Sequence, residues 1–432
     1  MRLKLLRSSS CAVLFATAAV AAAGSAAAQD TSFARDHNVG VRDRRFPGYD
    51  ALGLRAGSFL LFPWAEAGVV WSDNIFATPV DEQSDTVLTL SAALRAQSQW
   101  SRHALNGFVE FNNLQYMDFT DESHAEWGVG ADGRLDLARG TNVSAGAQYH
   151  ELVQPRSDAS TPVDALEPVT YNLATYNGSA SHEVGRFRLG GDIGWSGYRY
   201  DAVQTLFNGL QSQSYRNEDV FYGGVRLDYA LSPAVAVYGS VRGNDRSFQQ
   251  QPNLTDDNPQ NDVDRDSSGW DVGVGVDFDL THAARGHILI GYLEQDYEDP
   301  DATTTDGLAM DAWVEWFPTQ MTTVTLSADQ SINDTTVGDA AGTLTTALGI
   351  RVDHELRRNL ILWGRANWAQ DDYDGISRVD DRVDYGVGAD LKFNRLVAAR
   401  ISFQHFDRTS SGGDPGFEYT EDRFGAVLVL HP

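Results

Sequence analysis

Apolar and polar residues alternate along many stretches of this chain. From Trp270 to Leu280, Trp, Val, Phe or Leu occupies every even position, and Asp or Gly occupies every odd position. Successive side chains of a β-strand point to opposite faces, so the pattern predicts a strand with one apolar face and one polar face. A polar break at Thr281–Arg285 and a second apolar run follow, which together predict a hairpin.

The hairpin pattern recurs at intervals of roughly 40 residues, with copies at 127–149, 222–242, 348–368 and 385–406. Short turns are predicted near residues 101–103, 139–141, 231–234, 281–285, 318–320, 357–359 and 393–395. Longer polar connections are predicted near 78–84, 155–168, 201–216, 249–268, 294–306 and 408–420. From about residue 63 onward we count about 18 strands, with 16 as the alternative, because single-chain bacterial barrels have even strand numbers.

Alternating short turns and long loops are typical of a barrel that crosses the outer membrane, with periplasmic turns and extracellular loops. Hydrocarbon offers no hydrogen-bond partners, so strands can cross it only as a closed sheet. The predicted fold class is therefore all-β, a transmembrane antiparallel β-barrel whose apolar faces contact lipid and whose Asp, Gly and Arg faces line the lumen. A soluble β-sandwich, the main alternative, would place the apolar residues inside over fewer strands.

The N-terminal residues have the features of a secretory signal. A basic start with Arg2, Lys4 and Arg7 precedes an apolar run, and small residues suit cleavage after Ala28. We predict a signal peptide over residues 1–28, a periplasmic N-terminal segment over 29–60 and the barrel over 61–432. Cys11 is the only cysteine and lies in the signal, so the mature chain is expected to have no disulfide.

The chain is strongly acidic. Loss of the signal's three basic residues would take its net charge from −27 to −30, which disfavours nucleic acid as a partner. Asp262, Asp264 and Asp266 resemble part of a calcium loop, but the glycine and the final glutamate of that loop are missing. A solvated loop tip is the preferred interpretation, with a loosely held divalent cation that bridges to lipopolysaccharide as the alternative. No other metal or cofactor is expected.

The sequence predicts no enzyme. A G-x-G-x-x-G match at Gly128, Gly130 and Gly133 lies inside an alternating strand, where a dinucleotide motif does not function. The stretch Gly194–Gly197 lacks the last glycine of a nucleophile elbow, and the histidines are scattered along the chain. No catalytic residues are therefore assigned.

The polar faces supply candidate lumen residues. Ion pairing across the wall is one interpretation of their mixed charges, and a charged constriction that filters solutes is the other. Aromatic residues on the same faces could stack on sugars or simply fill the interior. The charged candidates are Asp132, Arg134, Arg188, Asp192, Arg226, Asp228, Arg242, Asp271, Asp277, Arg351, Asp353, Arg365, Asp390 and Arg400, and the aromatic ones are Tyr198, Tyr222, Tyr238, Trp313, Trp363 and Phe406.

The C-terminal stretch matches the signal that barrel-assembly machinery reads on a last strand. Arg423, Gly425, Leu428 and Leu430 fit its polar, glycine and apolar positions, although His431 and Pro432 replace the usual terminal aromatic. We therefore expect the assembly machinery, outer-membrane lipid and lipopolysaccharide as partners, in the outer membrane of a Gram-negative bacterium.

Residues 41–78 resemble the head of a family of outer-membrane β-barrel porins of proteobacteria that is associated with exopolysaccharide gene clusters, and Gln99–Leu105 is similar to the family's next piece. The resemblance implies a porin fold and membership in an envelope polysaccharide system. It adds exopolysaccharide export components to the expected partners, and it transfers no site residues. The matching positions are Arg44, Pro47–Asp50, Gly53, Arg55, Gly57–Phe59, Phe62–Pro63, Asp73 and Asn74.

The predicted function is a porin-like channel that passes polar solutes or nascent exopolysaccharide without catalysis. A barrel of this strand number can hold an aqueous channel. One alternative is a plugged, non-conducting barrel that anchors polysaccharide at the surface. The other, disfavoured by the missing catalytic residues, is a barrel enzyme acting on lipid or polymer.

Overall fold

The structure is a computed structural model that describes residues 33, 35, 37–249, 264–300, 302–337 and 340–431. The predicted signal peptide with Cys11, Asp262 and the central part of the loop 249–268 lie outside the described residues. No helix in these ranges is both long enough and apolar enough to span a membrane.

Nearly all regular structure in the described ranges is β-strand. Single-turn 3₁₀ helices lie at Val41–Asp43, Thr120–Glu122 and Ser214–Arg216. The strands are β1 (Leu54–Ala56), β2 (Phe59–Ser72), β3 (Asp85–Ser98), β4 (Ala104–Tyr116), β5 (His124–Ala138), β6 (Thr141–Val153), β7 (Thr170–Val184), β8 (Phe187–Tyr200), β9 (Val203–Thr205), β10 (Gly209–Gln211), β11 (Glu218–Ser232), β12 (Val235–Phe248), β13 (Ser267–Leu280), β14 (Ala284–Tyr297), β15 (Thr305–Thr319), β16 (Thr322–Asp334), β17 (Gly342–Arg357), β18 (Leu360–Asp374), β19 (Arg378–Lys392), β20 (Val397–Gly412) and β21 (Tyr419–Leu430).

Strands β2–β8 and β11–β21 form a closed antiparallel barrel of 18 strands. Each strand pairs with the next in the chain, and β21 closes the barrel against β2 from Ser72↔Arg423 to Ala65↔Leu430. The predicted fold class is thus confirmed, with the larger of the two strand numbers. For strands ~4.8 Å apart and tilted by ~40°, the backbone cylinder is about 36 Å across.

The two ends of the barrel differ in their connections. At one end, here the turn end, the connections are mostly two to four residues long, as at 139–140, 233–234 and 281–283. At the other, here the loop end, most are longer, including 73–84, 154–169, 201–217 and 249–266, and only 375–377 is a tight turn. Strands β9 and β10 form a separate hairpin inside the loop 201–217.

Alternation separates the two faces of the wall. In β13 the even-numbered apolar side chains point outward, and Val274 is 71% exposed, as expected where lipid would cover it. The odd-numbered residues point inward. The run of apolar residues in β14 has the same register, because Val276 pairs with Ile288 and Gly275 with Leu289. Leu289 therefore points into the barrel.

Glycines on the inner face make room for aromatic rings of the neighbouring strand. A Cβ atom at Gly275 would lie 2.3 Å from Cζ of Tyr238, and one at Gly388 would lie 2.4 Å from the ring of Trp363. Glycine at these positions lets a large ring lie flat against the next strand. The glycine-rich polar faces thus serve packing inside the wall.

Candidate functional site

The inner wall of the barrel is the candidate site. Strand register places each of the predicted charged lumen candidates on the face opposite the outward apolar side chains: Asp132 and Arg134 on β5, Arg188 and Asp192 on β8, Arg226 and Asp228 on β11, Arg242 on β12, Asp271 and Asp277 on β13, Arg351 and Asp353 on β17, Arg365 on β18, Asp390 on β19 and Arg400 on β20. Whether these residues act on a solute stays a prediction. Their mutual contacts divide them into groups at different heights.

A first charge cluster lies near the turn end on β8, β11 and β13. Asp228, only 1% exposed, accepts hydrogen bonds from Arg188 at 3.0 Å and from Arg226 at 2.6 Å. Arg226 also contacts Asp277, and its guanidinium lies 3.4 Å from the ring centroid of Tyr238. The charges offset one another, so this cluster braces the four consecutive strands β8, β11, β12 and β13.

A second charge cluster occupies the same height on β17–β20. Arg351 donates to Asp353 at 2.9 Å, and Arg400 donates to Asp390 at 2.8 Å. The Arg351 guanidinium lies over the buried ring of Trp363, 5.0 Å from its centroid. These pairs are again local, so they add little net charge to the lumen.

Carboxylates held by uncharged groups or by an imidazole lie along β4 and β5. Asp132 accepts from the amide of Asn106 at 2.9 Å, and Glu126 accepts from the backbone N–H of Val153 at 3.1 Å. Glu110 lies 3.7 Å from the imidazole of His150. An amide, a backbone N–H and an imidazole hold these carboxylates, so this side of the wall presents negative charge to the lumen.

Asp192, Asp271 and Arg242 form a looser group on the neighbouring part of the wall. Arg242 lies 3.6 Å from Asp192 and is 46% exposed, so it remains in contact with lumen water. Arg242 is also directly opposite Asp271 in the β12–β13 ladder. Two carboxylates around one guanidinium leave this group negative overall.

The predicted aromatic residues also lie on the inner face, and arginines cover several of their rings. Tyr238, Trp363 and Phe406 are buried, and the Arg423 guanidinium lies 4.8 Å from the Phe406 ring centroid. Tyr198 stacks loosely on a neighbouring tyrosine ring, and Trp313 stacks on His287. Any sugar-stacking role falls to the half-buried rings, which are Tyr198, Tyr222 and Trp313.

The loop 154–169 folds across the loop end of the barrel. Arg156 forms two hydrogen bonds with the buried Glu122, at 3.0 and 2.5 Å. The carbonyl of Ser157 accepts from Arg408 of β20 at 3.1 Å, and the hydroxyl of Ser160 accepts from the backbone of Thr336 at 3.4 Å. The loop joins β6 to β7, while its contacts with Arg408 and Thr336 lie on distant parts of the wall. It therefore narrows this mouth.

The hairpin of β9 and β10 supports the inward loop. Leu206 donates its backbone N–H to Asp164 at 2.9 Å, and Leu166 donates to Gln204 at 2.8 Å. Arg216 reaches Gln154 at 2.9 Å and covers the ring of Tyr200. Burial in this layer raises the pKa of the loop residue Tyr215.

Asp380 anchors the far wall and was not among the predicted site residues. It is fully buried, accepts from Arg378 at 2.7 Å and Tyr373 at 3.2 Å, and also contacts Arg408. Alternation in β19 places Arg378 and Asp380 on the inner face, so the sequence could have predicted that they point inward. Their link to the loop 154–169 runs through Arg408, which contacts both Asp380 and the carbonyl of Ser157, and no local pattern indicates it.

The N-terminal residues line the inside of the turn end. His37 donates its backbone N–H to Asp279 at 2.7 Å, and Arg42 reaches Asp353 at 2.6 Å and Asp390 at 3.0 Å. Further along, Asp50 pairs with Lys392 at 2.6 Å. Residues 37–50 thus follow the inner wall from β13 to β19. The predicted domain boundaries remain untested.

Two residues further upstream enter the first charge cluster. Phe33 packs on Ala230 and Ala236, and its ring lies 4.6 Å from the Arg188 guanidinium. Burial lowers the pKa of Arg35, and the neighbouring Asp277 works in the opposite direction.

Within the described residues, no three His, Cys, Asp or Glu side chains lie close enough together to hold a metal ion. In the predicted calcium-loop stretch, the backbone N–H of Asp266 donates to the Asp264 carboxylate at 3.1 Å. The wall therefore offers charge, hydrogen bonding and ring faces along a lumen.

A closed barrel with an apolar outer belt and a charged inner wall defines a porin-like β-barrel of the outer-membrane type. Residues 46–431 match the family described as Putative beta-barrel porin 2, and the chain belongs to that family. No curated protein matches it in sequence.

Several solved structures are similar to this chain in fold. OccK2 (OpdF) of Pseudomonas aeruginosa has 10% sequence identity and a TM-score of 0.44, over 86% of this chain and 97% of that one. OpdL of Pseudomonas aeruginosa has 12% identity and a TM-score of 0.43, over 87% and 99%. The copper transporter OprC has 10% identity and a TM-score of 0.44, over 87% and 82%.

Proposed function

We propose that this protein is an outer-membrane channel that passes small polar solutes and favours cations over anions. The observation that carries the proposal is the run of carboxylates with neutral partners on β4 and β5, formed by Glu110, Glu126 and Asp132. Fixed negative charge in a narrow aqueous path attracts cations and repels anions. Elsewhere on the wall, most carboxylates are paired with arginine and contribute less to selectivity. The proposal includes no chemical step.

Segments of the chain narrow both mouths of the barrel, and this narrowing favours small solutes over polymers. The loop 154–169 reaches the far wall at the loop end, and residues 37–50 follow the wall at the turn end. Nascent exopolysaccharide, the cargo suggested by the family resemblance, would need a wider continuous path. Polymer export that fails in a deletion strain and returns with the wild-type gene would favour the larger cargo.

Ion selectivity in planar lipid bilayers tests the proposal. In a tenfold KCl gradient the wild-type protein should give a reversal potential of the sign expected for K⁺ permeation. Glu110→Gln combined with Asp132→Asn should move that potential toward zero without abolishing the channel. Glu294→Gln combined with Asp381→Asn removes the same charge from the outer face and should leave the potential unchanged. An anion-selective wild-type channel would contradict the proposal.

The same two obstructions support a second candidate, a plugged barrel that anchors a surface polymer without conducting. Folding can be shown separately, because a folded barrel resists detergent until it is heated and then migrates differently in a gel. A correctly folded protein that gives no channel events would favour this plugged barrel.

The last strand supports assembly in the outer membrane of a Gram-negative bacterium. In β21, Arg423 and Gly425 point inward, while Leu428 and Leu430 are exposed on the outer face. We infer that the barrel-assembly machinery reads this strand and that lipopolysaccharide surrounds the loop end. Loosely held divalent cations could bridge its acidic loops to lipid phosphates. Depletion of the assembly machinery should leave the protein unfolded in the periplasm.

A further inference from the structure

Residues 37–50 occupy the turn-end mouth without being part of the barrel wall. They pass β13 to β19, which are seven neighbouring strands. Apart from the single 3₁₀ turn at Val41–Asp43 they contain no regular structure, and none of them pairs with a barrel strand. Their attachment therefore depends on side chains.

Ion pairs supply much of this attachment. Arg42 bridges Asp353 and Asp390 at 2.6 and 3.0 Å. Asp43 pairs with Arg285 at 3.1 Å, and Arg44 lies 3.6 Å from Glu355. Arg42, Asp43 and Arg44 thus each contact a charge of opposite sign on the wall. The spacing of the segment's charges matches that of the wall.

Uncharged contacts complete the attachment. Asn38 donates to Asp279 and, at 2.8 Å, to the carbonyl of Leu280. Val41 donates its backbone N–H to Thr323 at 2.9 Å and is 1% exposed. Val41 is the only large apolar residue in the 37–50 range that is buried. Residues 37–50 therefore bury little apolar surface, and segments with few buried apolar contacts detach at a low cost in free energy.

The strap-side charges of these pairs, Arg42, Asp43 and Arg44, are 34%, 24% and 29% exposed, so water and salt reach the pairs from the lumen although their wall partners are largely buried. Pairs in contact with water contribute little individually, and salt weakens them further. The barrel wall is instead held by continuous ladders of backbone hydrogen bonds. Residues 37–50 can therefore leave the wall while the barrel stays folded.

We infer that residues 37–50 form a displaceable strap that narrows the turn-end mouth and controls passage through the lumen. The inference rests on the proposed channel function. When the strap is bound it reduces the open cross-section and covers Asp353 and Asp390. When it is released the mouth widens and these carboxylates face the solute path.

Labelling of a single cysteine tests displacement independently of conduction. The mature chain predicted by cleavage after Ala28 contains no cysteine, so Val41→Cys supplies a unique thiol. Its reaction with a maleimide should be slow in 0.1 M KCl and at least several-fold faster in 1 M KCl. Adding Arg42→Glu, which would repel Asp353 and Asp390, should make labelling fast at both salt concentrations. Arg55→Glu, an exposed change on β1, is the charge-matched control and should have no effect.

Conductance then tests control of passage. Arg42→Glu should raise the mean single-channel conductance or open time at least twofold over wild type and over Arg55→Glu. Val41→Cys with Thr323→Cys joins the strap to β16, and oxidation should hold the low-conductance state until a reductant is added. This double variant also shows that the barrel folds with the strap in place.

The possible outcomes separate the strap from the channel. Labelling of Val41→Cys that stays slow with Arg42→Glu would overturn displacement. Fast labelling with unchanged conductance would overturn control of passage. If no variant conducts although all are folded, the proposed channel function fails, and control of passage fails with it. The labelling rates would still decide whether the strap leaves the wall.

Discussion

Substitution of Gly275 by alanine tests how the inner wall is packed. Gly275 faces the lumen on β13, opposite Tyr238 of β12. An added Cβ would lie 2.3 Å from Cζ of this tyrosine, 2.5 Å from its hydroxyl and 2.6 Å from the carbonyl oxygen of Ile288. Carbon atoms normally approach to about 3.5–4.0 Å, so the ring would have to move by more than about 1 Å.

The ring has little freedom to move. Tyr238 is buried, and Arg226 covers its face at 3.4 Å while also contacting Asp228 and Asp277. Overpacking of this kind costs about 1–3 kcal/mol, and losing a desolvated cation–π contact costs up to about 2 kcal/mol more. We therefore expect Gly275→Ala to lower the free energy of unfolding by about 2–4 kcal/mol.

Gly239→Ala is the matched control. Gly239 lies on the outer face of β12, and an added Cβ would come no closer than 3.9 Å to its neighbours. Replacing glycine in a strand should leave stability unchanged or raise it by about 0.5–1 kcal/mol. Reversible urea unfolding in detergent micelles, followed by tryptophan fluorescence and gel mobility, measures both variants.

Equal stability of the two alanine variants would refute this account of the wall. A second comparison isolates the ring. Tyr238→Ala by itself should lower the free energy of unfolding. In the Tyr238→Ala background, Gly275→Ala should lower it by less than it does in the wild-type background. A remaining cost is expected because the carbonyl of Ile288 still lies close. Full additivity of the two changes would show that the glycine and the ring do not interact.

Two further predictions concern the loop end. Arg156→Ala leaves the buried carboxylate of Glu122 without its two hydrogen bonds, so the loop 154–169 should loosen and conductance should rise, whereas Arg139→Ala at the turn end should not change conductance. Unchanged conductance and unchanged protease sensitivity of the loop would contradict this. Asp380→Asn leaves Arg378 and Arg408 without a carboxylate partner in a buried site, so the free energy of unfolding should fall by about 3–5 kcal/mol. Asp381→Asn on the outer face is its control, and equal stability of the two variants would contradict the role of Asp380.

Strands and faces were predictable from the sequence because side-chain alternation is a local property. The odd-numbered Asp and Gly residues of β13 face the lumen for the same reason that their even-numbered neighbours face outward. The strand β14 was the uncertain case, since Ile288, Leu289 and Ile290 are all apolar. Its register depends on pairing with β13, and the pairing places only Leu289 inside.

Some connections were not predicted individually. The loop at 117–123 contains neither proline nor glycine, and the loop at 335–341 contains one glycine. The turn at 185–186 was not predicted although Gly185 lies in it. The contacts of the strap and of the loop 154–169 could not be predicted either. They join residues hundreds of positions apart, such as Arg42 with Asp390 and Ser157 with Arg408. Neither end of such a pair shows its partner in the surrounding sequence.

The two obstructions differ in how strongly they are held, and this difference assigns them different roles. The loop 154–169 is attached through the buried Glu122, through Arg408, whose guanidinium also contacts the buried Asp380, and through a hairpin that pairs with it. Opening it would expose buried charges without partners, which is costly. The strap is attached through ion pairs whose strap-side charges, Arg42, Asp43 and Arg44, water already reaches. A solute would therefore meet a fixed filter at the loop end and a reversible closure at the turn end, and control would act from the turn end.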